Sequence, residues 1–266
     1  MFNRIITSTN ENATYLDFWK IQILSHKIFF PNKILTIAFL TNRDENDDLI
    51  IEMKSHGIDV RLYKPIQNIP EGNHAKLLRY ICASEFGNEV CVITDMDTIP
   101  LQSDYLNSIT SNRESNKILC VGSEVYHGTP HSGKFPAHHI TSEGNLFKEL
   151  FNPKNLPYED LIIELSKINN VYDHTESVLG GEFSDESLIR VLFDKNNVNR
   201  QNHLRNINIT NQWIDRSWWG INKERLYSFN YIEANLLRPY ETYKDEIHEI
   251  EIFLNSLKNK KLTIKK

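Results

Sequence analysis

A mostly parallel α/β fold is predicted by two features of the first 125 residues. Strand-like and helix-like segments alternate, and one strand-like run, 33–41, is apolar nearly throughout. Size is the third observation: 266 residues, 40% of them hydrophobic, can bury a full core within one domain.

The elements follow in order. RIITST (4–9) opens as a strand and residues 12–24 follow as a helix. KILTIAFLT (33–41) is a near-continuous apolar run, suited to a strand covered on both faces. DENDDLIIEMKSHG (44–57) reads as a helix ending at Gly57, which can take the left-handed terminal conformation, and IDVRLY (58–63) is the third strand. A helix over 73–86 has Asn73 as N-cap and Gly87 as its stop, with Leu77, Leu78, Ile81 and Cys82 facing the sheet. VCVIT (90–94) is the fourth strand, and KILCVGSE (117–124) reads as another. A loop rich in His, Gly and Pro spans 126–139, and helices are expected at 157–168, 184–195 and 243–261.

The formal charge of −5 offers no global attraction to nucleic acid or an anionic membrane, so any phosphate partner should be small. The N-terminus lacks a signal-like apolar segment, and no run approaches the roughly 18 apolar residues that span a bilayer. A cytoplasmic protein without a transmembrane segment is therefore expected. Cys82, Cys91 and Cys120 form no CxxC pair and sit in apolar patterns, which reads as reduced core thiols. In that compartment the sequons at Asn12 and Asn208 carry no glycan.

The chemistry concentrates in EVCVITDMDTIPL (89–101). A buried strand delivers Asp95 and Asp97, which would point the same way if the chain stayed extended. Two carboxylates held together need a cation or a proton between them, and hard oxygen ligands suit Mg²⁺ or Mn²⁺ bound jointly with phosphates. The bland reading is a turn cap that binds nothing. In open α/β sheets, however, ligands bind at the carboxyl ends of strands, where this pair sits.

An apolar strand ending in D-x-D, after three βα units and a helix carrying Lys76 and Arg79, resembles the nucleotide-sugar-dependent glycosyltransferases of the GT-A fold. The resemblance covers about the first half of the chain. It implies a Rossmann-like single domain (1–266): a nucleotide-sugar-binding half (1–125), an acceptor half (126–240) and a C-terminal helical extension (241–266). It also implies a divalent metal, Mn²⁺ or Mg²⁺, on Asp97 with Asp95 reaching metal or ribose. A nucleotide-diphosphate sugar, UDP favoured, would be the donor, and a glycan or other hydroxyl the acceptor. Lys76 and Arg79 would meet the diphosphate or donor sugar, and Thr7 and Thr9 of TSTN would leave strand one beside the base and ribose. A solvated basic face and ordinary turn chemistry are the plain alternatives.

In the second half, Ser142 and Gly144 of HHITSEGNLFKELF fall where the resemblance puts donor sugar and acceptor. Asp185 and Glu186 follow the Gly180–Gly181 pair and open a helix, where a carboxylate would orient or deprotonate the acceptor hydroxyl; acids in a first helical turn are also favoured by the helix dipole. Residues 215–240 concentrate aromatics and arginine and resemble the C-terminal part of the small glycosyltransferases of large algal viruses. There Trp218 and Trp219 would stack on a sugar or join the core, with Asp215 a reserve catalytic candidate.

Four other readings compete. D-x-D-x-T (Asp95, Asp97, Thr98) also matches the first motif of haloacid-dehalogenase-type phosphatases, with Asp95 as nucleophile and Asp97 as general acid. That motif normally follows the first strand of its domain, and no second acidic pair is evident. GTPHSGKF (128–135) has G-x-x-x-x-G-K spacing but places Phe135 where a magnesium-binding hydroxyl belongs, and histidines 127, 131, 138 and 139 lack a zinc spacing. A fold that binds a sugar nucleotide without turning it over is the non-enzymatic alternative.

Overall fold

The structure, a computed structural model, describes residues 1–122, 124, 135, 136, 138–173, 185–204 and 212–264. Its first half alternates as predicted. β1 (Arg4–Asn10) is followed by α1 (Ala13–Leu16) and α2 (Trp19–Phe29), β2 (Ile34–Leu40), α3 (Asp48–Ser55), β3 (Asp59–Tyr63), α4 (Glu71–Ala83) and β4 (Val90–Ile93). Then come β5 (Thr98–Pro100), α5 (Asp104–Ser111), β6 (Ile118–Val121), β7 (Ile140–Glu143), α6 (Gly144–Phe151), α7 (Tyr158–Asp173) and α8 (Asp185–Asn196). β8 (Arg200–His203), β9 (Trp213–Ile214), α9 (Lys223–Tyr227), β10 (Glu233–Asn235) and α10 (Lys244–Ile264) complete it.

Seven strands form one sheet in the order β3-β2-β1-β4-β7-β6-β8. Only β7 runs against the others, pairing antiparallel with both β4 and β6. Alternation along the strands sends Ile5, Ile37 and Val92 to one core with α2, α3 and α10, and Ile6, Ala38 and Ile93 to another with α4, α6 and α8. Both faces are therefore covered, which is why β2, β4 and β6 read as near-continuous apolar runs. Cys82, Cys91 and Cys120 lie free and buried in the second core, and burial pushes the thiols of Cys91 and Cys120 up to about 12.

Several boundaries shift for local reasons. The helix expected over 12–24 is broken at Asp17 and Phe18 into α1, capped by the Asn12 side chain on Thr14 N, and the longer α2. α3 begins at Asp48 because Asp47 caps it through Leu49 N, and it ends with Gly57 at φ +84 donating to Lys54 O and Ile58 donating to Met53 O. α4 starts from Pro70, so Asn73 lies inside the helix rather than capping it. Strand β1 continues through Asn10, which keeps Thr7 and Thr9 within the sheet.

A second, three-stranded sheet (β5-β10-β9) was not anticipated. β5 follows Asp97 directly and pairs antiparallel with β10, so the chain leaving the D-x-D stretch is stitched to the C-terminal region. α10 packs Ile247, Ile250, Phe253 and Leu254 into the first core. Among the described residues no helix is long and apolar enough to cross a membrane.

Register settles the position of β7. Ser142 pairs with Cys91 and Glu143 with Val90, at the start of β4 and away from its carboxyl end. Gly144 opens α6 against the end of α4, where a β-carbon would lie 2.6 Å from Ala83 O and 2.7 Å from Gly87 N. The small residues of this stretch thus serve close packing, a correction to the donor-side role expected of Ser142 and Gly144. Gly144→Ala should cost about 1–3 kcal/mol in urea unfolding, because both obstacles are backbone.

His26 on α2 is 6% exposed, and its Nε2 has no hydrogen-bond partner among the described residues. Burial, aided by the charge of Lys27, lowers its pKa to about 4. The folded state therefore takes up the proton less readily than the unfolded chain. His26 costs nothing above the unfolded value near 6.5, and stability drains as pH falls from there toward 4. Unfolding free energies measured at pH 7 and pH 5 should differ less in His26→Phe than in wild type, by up to about 1.4 kcal/mol per pH unit.

Candidate active site

The strand order places β1 between β2, the start of a run to β3, and β4 on its other side. This reversal opens a crevice at the carboxyl ends of β1 and β4, the usual ligand position in open α/β sheets. Asp95 and Asp97 stand there. Their backbone does not stay extended: a turn at Met96 and Asp97, with Thr98 N donating to Asp95 O at 3.2 Å, gives the two carboxylates different surroundings.

One buried side chain holds the turn. The Gln22 amide nitrogen donates to Asp95 O (3.2 Å), Met96 O (3.0 Å) and Thr98 O (2.9 Å), while Ser25 Oγ donates to Pro100 O at 2.5 Å. α2 therefore fixes the aspartates through their carbonyls and leaves the carboxylates for other partners.

Those partners are guanidinium groups. Arg79, 4% exposed on α4, pairs through Nη1 with Asp95 and donates to Thr94 O at 3.1 Å. Its Nη2 meets Asp185 Oδ2 at 2.5 Å, and Tyr80 OH donates to the same oxygen at 3.1 Å. Asp97, 2% exposed, pairs with Arg216 Nη1 and lies 3.4 Å from Arg238 Nε. Arg238 also donates to Tyr15 OH, and its guanidinium sits 4.8 Å from the centre of the Tyr15 ring. The small sheet delivers both arginines: β9 leads into the turn carrying Arg216, and Leu236 N, just past β10, donates to Asp97 O at 2.8 Å.

The two carboxylates respond differently to this setting. Burial opposes the ionisation of Asp95, but Arg79, His138 and Arg216 outweigh it and hold the pKa at about 2. Burial and the charge of Asp95 together raise Asp97 above its ordinary value, against the pull of Arg216 and Arg238. Burial and Asp95 thus act against the charged form of Asp97 even with two arginines beside it. A hard divalent cation fits this oxygen donor pair.

Beside the pair, His138, His139 and Glu233 bring ligand atoms within 4.8 Å of one another, with His139 Nε2 2.9 Å from Glu233 Oε2. His139 is held at φ 58 with its N–H on Ile93 O. This cluster was missed because Glu233 is brought in by the small sheet, while the zinc-like loop reading rested partly on His127 and His131, which lie outside the described residues together with 128–134 of the P-loop-like stretch, the Gly180–Gly181 pair and Asn208.

The remaining predicted residues divide by burial. Thr7 is fully buried with its hydroxyl 3.9 Å from Met96 Sδ, and Thr9 donates to Asn10 O at 3.2 Å, so neither hydroxyl opens onto a ligand. Arg79 points inward instead of forming a solvated basic face, whereas Lys76 is half-buried. Asp185 joins the site through Arg79, and its engaged carboxylate has no open approach to an acceptor; Glu186 beside it is half-buried. Asp215 caps its own turn through Ser217 N at 2.7 Å. Trp219 packs against the first core, but Trp218 is 84% exposed.

The sequence matches no protein-family model and no curated protein. Similar solved structures are glycosyltransferases. GlyE of Streptococcus pneumoniae TIGR4, in its apo form, is 14% identical with a TM-score of 0.48 over 76% of this chain and 45% of its own. An active-site mutant of LgtC is 10% identical with a TM-score of 0.49, over 87% of this chain and 86% of its own. The bifunctional WbbM is 11% identical with a TM-score of 0.45, over 94% of this chain and 49% of its own. The chain spans less than half the length of GlyE and WbbM.

Arg79 bridges two carboxylates in a buried position, so removing it strands Asp185 without a counter-charge. Arg79→Met should lose about 3–5 kcal/mol in denaturant unfolding, and Arg79→Met combined with Asp185→Leu should recover much of that loss. Equal losses in the single and double variants would contradict the bridging role.

Proposed function

We propose that the chain is a metal-dependent glycosyltransferase that moves a sugar from a nucleotide-diphosphate donor, a UDP-sugar in the favoured case, to a hydroxyl of a glycan acceptor. The observation that carries this reading is the placement of Asp95 and Asp97 at the carboxyl end of β4, in the crevice beside β1, among three guanidinium groups. Sugar transfer breaks the bond from the anomeric carbon to the diphosphate and joins that carbon to the acceptor oxygen, which gives up its proton. The greatest electrostatic need is for positive charge at the leaving diphosphate.

Asp95 and Asp97 would hold Mn²⁺ or Mg²⁺ against that diphosphate. The bound cation would supply Lewis-acid neutralisation of the leaving group. Arg79 is fixed by Asp185 and Tyr80, so it orients Asp95 and keeps it ionised; Asp185 is then a positioning residue. Arg216 and Arg238 stand on the open side of Asp97 with 32% and 29% of their side chains exposed, within reach of a diphosphate entering the crevice. The exposed face of Trp218, two residues from Arg216, suits stacking on the acceptor sugar.

Thermal unfolding with UDP, GDP, CMP and dTDP, each with and without Mn²⁺, tests the reading. One nucleotide should stabilise wild type in a manganese-dependent way, by about 2.7 kcal/mol at roughly a hundred times its dissociation constant, and should do nothing for Asp97→Ala. No shift with any nucleotide would sink the proposal. A shift without transfer or donor hydrolysis would reduce it to a binding protein.

A further inference from the structure

The two aspartates differ in how their arginines are held. Arg79 is buried and tied on its far side to Asp185, which Tyr80 OH also holds, so it cannot leave Asp95 without withdrawing from a second carboxylate. Among the described residues, neither Arg216 nor Arg238 meets a second carboxylate. Each is about a third exposed; Arg216 projects from a three-residue turn, and Arg238 rests on the Tyr15 ring and hydroxyl. Asp97, the most enclosed carboxylate of the site, thus has two part-exposed side chains as its counter-ions.

A divalent cation seated on Asp97 would sit against both guanidinium groups, and like charges at contact range beside an enclosed carboxylate repel strongly. Either the cation stays out or the arginines move. A diphosphate arriving with the cation offers them several anionic oxygens in the bidentate geometry that guanidinium prefers. We propose that Arg216 and Arg238 are exchangeable counter-ions, resting on Asp97 in the empty site and transferring to the donor diphosphate when a divalent cation takes their place. This rests on the glycosyltransferase reading and adds a property to it: cation and nucleotide bind synergistically, because each removes the obstacle to the other.

The arginines therefore have opposite effects on the two ligands, which a merely structural role would not produce. Isothermal titration of Mn²⁺ alone, and of UDP and GDP at saturating Mn²⁺ and without it, is carried out on wild type, Arg216→Met and Arg238→Met, with melting curves to check folding. Methionine keeps the length of the stem and removes the charge. Each variant should bind Mn²⁺ alone at least about fivefold more tightly than wild type, and should bind the nucleoside diphosphate in the presence of Mn²⁺ at least about fivefold more weakly. Arg216→Lys, which keeps the charge without the fork, should leave Mn²⁺ binding near the wild-type value. Unchanged or weakened Mn²⁺ binding in both methionine variants overturns the exchange while leaving the glycosyltransferase reading intact. Diphosphate binding equally tight with and without Mn²⁺ also overturns it. Failure of wild type to bind UDP or GDP under any condition, together with no thermal shift from CMP or dTDP, refutes the underlying reading as well.

Discussion

Charge balance around two enclosed carboxylates organises this molecule. A carboxylate at the end of a buried strand is costly unless paired, and here three arginines from three separate parts of the chain meet the pair. Each arginine requires its own support. Arg79 needs α4 buried around nearly its whole circumference, with α8 bringing Asp185 to its far side. Arg216 and Arg238 need the small sheet that joins β5 to the last third of the chain.

The small sheet also explains why the site is rigid on one side and open on the other. Gln22 and Ser25 pin the backbone from Asp95 to Pro100, and β10 pins it again through Leu236 N and Leu101 N. Preorganised backbone of this kind lets side chains exchange partners without reorganising the loop that bears them. The asymmetry between a buried Arg79 and two part-exposed arginines follows from where the elements that carry them lie relative to the core.

Much of the first half of the fold was legible because covered parallel strands write themselves as apolar runs, and β2, β4 and β6 all do so. The elements that were missed carry weaker marks. β7 reads ITSE, with one aliphatic residue, although three of its four positions are buried, and β8 reads RQNH at the sheet edge. Strands of two or three residues such as β5, β9 and β10 are too short for periodicity to register. Asp95 and Asp97 could be placed at a strand's carboxyl end because of the apolar run before them; Ser142 and Gly144 could not be placed, because a register, and not a composition, puts them toward the start of β4.

From its residues alone, the chain specifies alternating elements, a doubly covered sheet and a pair of acids at a strand's carboxyl end. These are consequences of spacing within a few residues, where side-chain alternation and capping act. Folding in three dimensions chose the partners of those acids, the tether on Arg79 and the partial exposure of Arg216 and Arg238. Arg216 stands 119 residues from Asp97 along the chain, and no local spacing encodes such a meeting. It arises because burying apolar surface on both faces of the sheet draws distant segments together, and the charges they carry must then be satisfied where they land.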